Sequence, residues 1–146
     1  NRRALEPPVK TFAREHDIPS IQPQVLRCQE TEDRITDTDA DLAVVVAYGR
    51  YIPGSIARLP RRRTVNAHFS LLPRWRGAAP VQRSLEAGED RTGVTLFEIR
   101  PRMDSGPVWA SREVEVAPDE AAPELFQRLA AIGAAIETVT RRTAAG

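Results

Sequence analysis

The order of apolar and polar positions divides the 146-residue chain into alternating extended and helical segments. The clearest is Asp41–Tyr48. Its centre, Leu42-Ala43-Val44-Val45-Val46-Ala47, is a continuous, partly β-branched run without alternation. Such a run marks a strand buried on both faces of a parallel sheet, and Gly49 ends it. Thr64–His68, Gly93–Ile99 and Pro107–Val116 predict further strands, and Ile18–Gln22 a short one. Helices are expected at Val9–His16, with Pro8 near the first position, and at Ala79–Ala87, with Pro80 early and Gly88 as the stop. A last helix is expected from Ala121 to Arg142. There Leu125, Leu129, Ile132, Ile136 and Val139 form one apolar stripe, and Glu124 and Arg128 make an i,i+4 pair. Residues 29–40 read as a short surface helix or loop, and 53–60 as a connecting turn or short helix.

Strands alternating with helices place the chain in the α/β class, with a mostly parallel sheet flanked by helices. Ligands of such sheets bind beyond the carboxyl ends of the strands. That rule points to the residues after Tyr48, to the surroundings of His68, and to the turn between the third and fourth long strands. Residues 1–146 suit a single domain able to bury roughly two-thirds of its unfolded surface. Apolar content of 41% and charged content of 28% fit a soluble globular chain. No stretch approaches the ~20 apolar residues of a membrane span and no signal peptide is visible, so a cytoplasmic protein without membrane association is expected.

Cys28 is the only cysteine, which excludes an intrachain disulfide and a cysteine zinc cluster. Two histidines, His16 and His68, are too few for most metal sites without carboxylate help. Net charge is only +1, but its distribution is uneven. Leu42 to Leu85 holds no acidic residue, while Arg50, Arg58, Arg61, Arg62, Arg63, Arg74 and Arg76 all fall within it. That stretch would set up a local positive field suited to an anionic partner.

The candidate chemistry begins with Thr64-Val65-Asn66-Ala67-His68. Side chains two apart on a strand share a face, so Asn66 and His68 project together at a strand end. An amide and an imidazole can both donate to an oxygen that gains charge during acyl transfer, and histidine can exchange a proton near neutral pH. The loop Ser70–Pro80 follows, with Arg74-Trp75-Arg76 setting an aromatic between two cations, a trio able to contact phosphates and stack on a base. Asp104 stands before Gly106-Pro107, a turn that would swing its carboxylate toward His68 to orient it or accept a proton. Alone, each would ordinarily serve structure: a histidine capping a strand, a tryptophan packed under its loop, an aspartate bonding its own turn.

Together the residues are more specific. Asn66-Ala67-His68-Phe69-Ser70-Leu71-Leu72-Pro73-Arg74-Trp75-Arg76-Gly77-Ala78-Ala79-Pro80-Val81-Gln82 closely resembles the signature segment of the methionyl-tRNA formyltransferases. Val46-Ala47-Tyr48-Gly49 upstream and Met103-Asp104-Ser105-Gly106 downstream match in order and spacing. The resemblance implies a Rossmann-like formyltransferase catalytic domain that moves a formyl group from 10-formyltetrahydrofolate to the α-amino group of initiator methionyl-tRNA. It implies that Asn66 and His68 polarise the formyl oxygen, and that Asp104 orients His68 and helps remove the amine proton. Ser70, Leu71, Leu72 and Pro73, with Arg50, Tyr51 and Ile52, would hold the folate. Arg74, Trp75 and Arg76 would face the tRNA. No metal is implied, and a monomer is expected.

The chain departs from the family pattern in three places. It lacks the opening strand and glycine loop, it lacks the C-terminal barrel domain, and Arg100-Pro101-Arg102-Met103 is basic where many members carry an acid. It is therefore expected to be a partial catalytic domain. Two alternatives stay open: a folate-dependent transferase for a small amine, such as an amino-sugar nucleotide or glycinamide ribonucleotide, and a non-catalytic remnant that binds folate or RNA.

Overall fold

The computed structural model describes residues 6–144, with side chains described for residues 6–136. Its elements, in order, are α1 (Pro8–Glu15), α2 (Gln29–Thr36), β1 (Leu42–Val46), α3 (Gly54–Ala57), β2 (Arg63–His68), α4 (Pro80–Glu86), β3 (Arg91–Glu98), β4 (Val108–Glu115) and α5 (Ala122–Ala144). The four strands form one sheet in the order β1-β2-β3-β4.

The Rossmann-like α/β class stands, but the sheet is mixed where a mostly parallel one was expected. Among the described strands only β1 and β2 run parallel, with Val44 opposite Val65. Both β2–β3 and β3–β4 are antiparallel. Connection length explains part of this. A parallel pair needs a crossover of a dozen or more residues. Residues 47–62, with α3, supply one between β1 and β2, whereas residues 99–107 are too few to supply one between β3 and β4. Near the loop end of that last pair, Leu96 faces Ala110 and Phe97 faces Val108, so Trp109 is the extra residue of a bulge.

The core lies on β2 and β3 beneath α4 and α5. Val65, Ala67 and Phe69 alternate onto it from β2 and its exit, joined by Val94 and Leu96 from β3. Leu125 and Leu129 of α5 are fully buried, and Ile132 and Ile136 pack at the margin, as the apolar stripe predicts. Val139 has its side chain outside the described residues. Arg128 does not take Glu124 as its partner. It bonds the Glu120 carboxylate at 2.7 Å and the Glu115 carbonyl at 2.6 Å, while Glu124 accepts the Ala121 N–H. A free backbone donor in the first turn of a helix competes for that carboxylate.

Two further expectations are corrected. The Ile18–Gln22 segment forms no strand: Pro19 and Pro23 lack the N–H that a ladder requires, and Ile18 and Ile21 are exposed. And β1 is not buried on both faces. Among the described strands it has β2 alone as a neighbour, its first four residues are half-buried, and Val46 is exposed. No described helix is long and apolar enough to cross a membrane.

Candidate active site

Period-two alternation on β2 separates two jobs. Val65 and Ala67 enter the core, while Asn66 and His68 face a cavity of about 490 Å³ at the strand's carboxyl end. That volume lies in the range of small-molecule sites. The same cavity is lined by Arg50, Tyr51 and Ile52 after β1, by Gly77 to Gln82 around the start of α4, and by Asp104. Ala47 and Gly49 adopt left-handed φ values of 47° and 69°, and they turn the chain after β1 along the cavity wall.

The loop after His68 is tied down almost peptide by peptide. Ser70 Oγ donates to the Arg74 carbonyl at 2.7 Å, and Thr95 Oγ1 donates to the Ser70 carbonyl at 2.7 Å while accepting the Leu72 N–H at 3.1 Å. The Leu72–Pro73 bond is cis. Trp75 turns left-handed, φ 57°, which aims its carbonyl at His68 Nε2, 2.9 Å away. A carbonyl can only accept, so Nε2 carries the hydrogen and Nδ1 is the ring nitrogen that faces Asp104. Nδ1 lies 3.9 Å from Asp104 Oδ2. That is beyond a hydrogen bond, and the contact becomes a hydrogen-bonded ion pair only when Nδ1 also carries a proton. His68 is 7% exposed, Phe97 meets its ring edge-on, and the Asn66 amide makes no hydrogen bond among the described residues.

Asp104 arrives from the opposite side. A Cβ on Gly106 would come within 1.7 Å of the Glu98 carbonyl oxygen, so only glycine allows the chain to pass there. The Glu98 N–H bonds the Pro107 carbonyl and closes the loop. At its tip Asp104 takes a left-handed φ of 45° and its Oδ2 accepts the Gly77 N–H at 2.7 Å. The carboxylate and the imidazole are thus each held by the backbone of one loop, a link that the spacing along the chain does not reveal.

Not every expected site residue reaches the cavity. Ser70, Leu71, Leu72 and Pro73 lie outside its lining. Ser70 is fully buried and Leu71 packs against Gly93, where a Cβ would come 2.7 Å from its methyl. Ser70, Leu71 and Leu72 are tied to Thr95 and Arg74, which fixes the loop, while Pro73 is exposed. Gly77 and the start of α4 take their place; they belong to the same motif, but nothing in their side chains advertised it.

The arginine-rich stretch is also less positive than its composition suggests. Arg61 pairs with Asp39 and Asp41, Arg63 with Glu98, and Arg74 with Glu89, acids that folding brings in from outside the stretch. Trp75 is half-buried, with the Arg74 and Arg83 guanidinium groups 5.9 and 5.2 Å from its ring centroid. Of Arg74, Trp75 and Arg76, only Arg76 is an exposed cation with no ion pair among the described residues. No cluster of three or more metal-ligating side chains occurs among the described residues.

This geometry can be set beside known proteins. Residues 1–139 match the family model described as formyl transferase. Relatives include the methionyl-tRNA formyltransferases of Methylococcus capsulatus and Xanthomonas euvesicatoria pv. vesicatoria, 46% and 47% identical over 133 and 135 residues. These alignments cover 91% and 92% of this chain but only 43% and 44% of the relatives, so the chain spans less than half their length. Among solved structures, glycinamide ribonucleotide transformylase 1 from Geobacillus kaustophilus superposes with a TM-score of 0.81 at 26% identity, over 94% of this chain and 77% of that one. Phosphoribosylglycinamide formyltransferase from Streptococcus pneumoniae TIGR4 superposes with a TM-score of 0.82 at 18% identity, over 100% and 83%, a likeness of fold alone. An Asn and a His side by side at a strand end, an Asp folded over them and a family match running through all three lead to one conclusion: the chain belongs to the formyl transferase family.

Proposed function

We propose that this chain carries the catalytic centre of an enzyme that transfers a formyl group from 10-formyltetrahydrofolate to the α-amino group of initiator methionyl-tRNA. The observation that carries the proposal is the convergence of Asn66, His68 and Asp104 on one cavity. The names borne by relatives at 42–47% identity favour a tRNA-linked amine over a small one.

The chemistry follows from the donors. The amine nitrogen attacks the formyl carbon, a C–N bond forms, and the carbonyl π electrons move onto oxygen. The free amide of Asn66 donates to that oxyanion, and His68 does so through Nδ1 when that nitrogen is also protonated, because its Nε2–H is held by the Trp75 carbonyl. The proton released by the amine passes to Asp104, directly or through water. As the tetrahedral centre collapses, the bond to folate N10 breaks and N10 takes up a proton, so no net charge accumulates. The folate would lie along Arg50, Tyr51 and Ile52. Arg76 is the best placed of the expected tRNA contacts, because Arg74 is held by Glu89 and Trp75 is packed. The proposed enzyme is a monomer of the cytoplasm that acts without a metal.

The test is direct. The complete protein, given 10-formyltetrahydrofolate, is expected to formylate methionyl-tRNA and to leave glycinamide ribonucleotide and amino-sugar nucleotides untouched. Formylation of a small amine with methionyl-tRNA ignored would overturn the substrate. Folate binding without turnover on any amine would overturn the activity.

A further inference from the structure

We propose that Arg83 is a positioning residue for both His68 and Asp104, acting through a single peptide plane of the loop. The plane is the one between Arg76 and Gly77. Its N–H end donates to Asp104 Oδ2 at 2.7 Å, and its carbonyl end accepts from Arg83 Nη1 at 2.9 Å. A peptide unit is rigid and flat, so gripping its oxygen fixes where its N–H points. A guanidinium on the oxygen also makes the hydrogen bond charge-assisted and polarises the amide, which strengthens the N–H as a donor. Arg83 therefore helps to set the position of Asp104, although the two side chains do not touch.

The same guanidinium holds the neighbouring peptide by another route. It sits 5.2 Å from the centroid of the Trp75 ring, the arrangement of a cation–π contact. Trp75 Nε1 is buried with no hydrogen-bond partner, so the ring is held by packing and by the nearby cations rather than by a hydrogen bond. The backbone of Trp75 stands at φ 57° and Gly77 at φ 88°, and in that conformation the Trp75 carbonyl accepts from His68 Nε2. Left-handed backbone in a non-glycine residue persists only where its surroundings hold it. Arg83, anchored on α4, is one of the groups that hold it. One exposed side chain outside the reacting pair thus couples the tautomer of His68 to the position of Asp104.

The kinetic part of this inference rests on the formyl-transfer reading; the spectroscopic part does not. The experiment uses the complete ¹⁵N-labelled protein with Arg83→Met, which keeps bulk but no donor, and Arg83→Lys, which keeps charge and donor. In Arg83→Met the Gly77 amide proton is expected to lose the downfield shift of a carboxylate-bound donor, and the His68 ring nitrogens to move from the Nε2–H tautomer toward a mixture. Turnover should fall by about 10²-fold, the usual result of misplacing reacting groups from a distance, with KM for folate and methionyl-tRNA nearly unchanged. Arg83→Lys should restore most of both signals and turnover. Unmoved Gly77 and His68 resonances in Arg83→Met would overturn the proposal. So would a KM that rises while kcat holds, which would make Arg83 a substrate contact. A wild-type protein that transfers no formyl group, with the Arg83→Met resonances still shifted as described, would sink the activity and leave the positioning role standing. Should Arg83→Met fail to fold, Arg83→Gln, which keeps a donor without charge, is expected to show a partial shift; no shift at all would again overturn the idea.

Discussion

The two walls of the cavity start from equivalent places, the carboxyl ends of neighbouring parallel strands, yet they are built in opposite ways. After β1, residues 48–52 are lightly held. Tyr51 is 61% exposed, and Arg50 reaches the Gln24 carbonyl at 3.3 Å. After β2, a central strand, the loop from Ser70 to Gly77 has its polar backbone pinned by Thr95, Ser70, His68, Arg83 and Asp104. The difference teaches where preorganisation is needed. In the proposed mechanism Asn66 and His68 stabilise developing charge, and such groups must already point the right way when the charge appears; both stand where the tied wall begins, and Asp104, from the β3–β4 loop, is bonded to that wall through the Gly77 N–H. A wall proposed only to lie against the folate can adapt.

That contrast can be broken at several points. The largest effect is expected from Gly106→Ala. The new methyl meets the backbone oxygen of Glu98 rather than a flexible side chain, so the β3–β4 end must open. Chemical denaturation of the complete protein should show a loss of more than about 3 kcal/mol, beyond the usual cost of overpacking. A midpoint close to wild type would mean that the tied wall can yield after all. Next comes His68→Ala, which should lower kcat in methionyl-tRNA formylation by at least ~10²-fold, as for a lost oxyanion donor or proton-transfer group. Turnover near normal would refute the role given to His68.

A smaller loss is expected from Thr95→Val. It keeps the shape but strands the Ser70 carbonyl and the Leu72 N–H in a buried place. Thermal and urea melts should register about 1–3 kcal/mol, and a change under about 0.5 kcal/mol would show that the loop does not depend on Thr95. Smallest of all is Tyr51→Ala on the open wall. Stability should stay within about 0.5 kcal/mol of wild type, and folate affinity measured by titration is the place to look for a change. A large loss of stability there would erase the contrast between the walls.

The site was legible in the sequence to a definite depth. Asn66 and His68 share a face because β2 is a strand, and a period of two follows from backbone geometry alone. Asp104 was legible as a turn residue, with Gly106-Pro107 marking the turn. The hydrogen bonds that hold these groups were not legible, because they run from backbone atoms of Trp75 and Gly77, and every residue type carries the same backbone atoms. That Ser70–Pro73 lie outside the cavity lining was not legible for a related reason: a motif says that residues belong to a site, not which of them line its cavity. The expected charge of the arginine stretch missed the acids that folding brings to it, Glu89 and Glu98 among them.

By itself, then, the sequence determined the α/β class, the long strands, the last helix with its apolar stripe, and which residue types stand at the strand ends. Those properties follow from local periodicity and from side chains whose chemistry is fixed. Only the tertiary structure decided that β3 runs antiparallel to β2, that β1 has one strand neighbour among the described strands, and that Arg83 and Asp104 grip opposite ends of one peptide. Such facts depend on which distant segments meet, and a single rigid peptide plane can join two side chains that neither periodicity nor spacing connects.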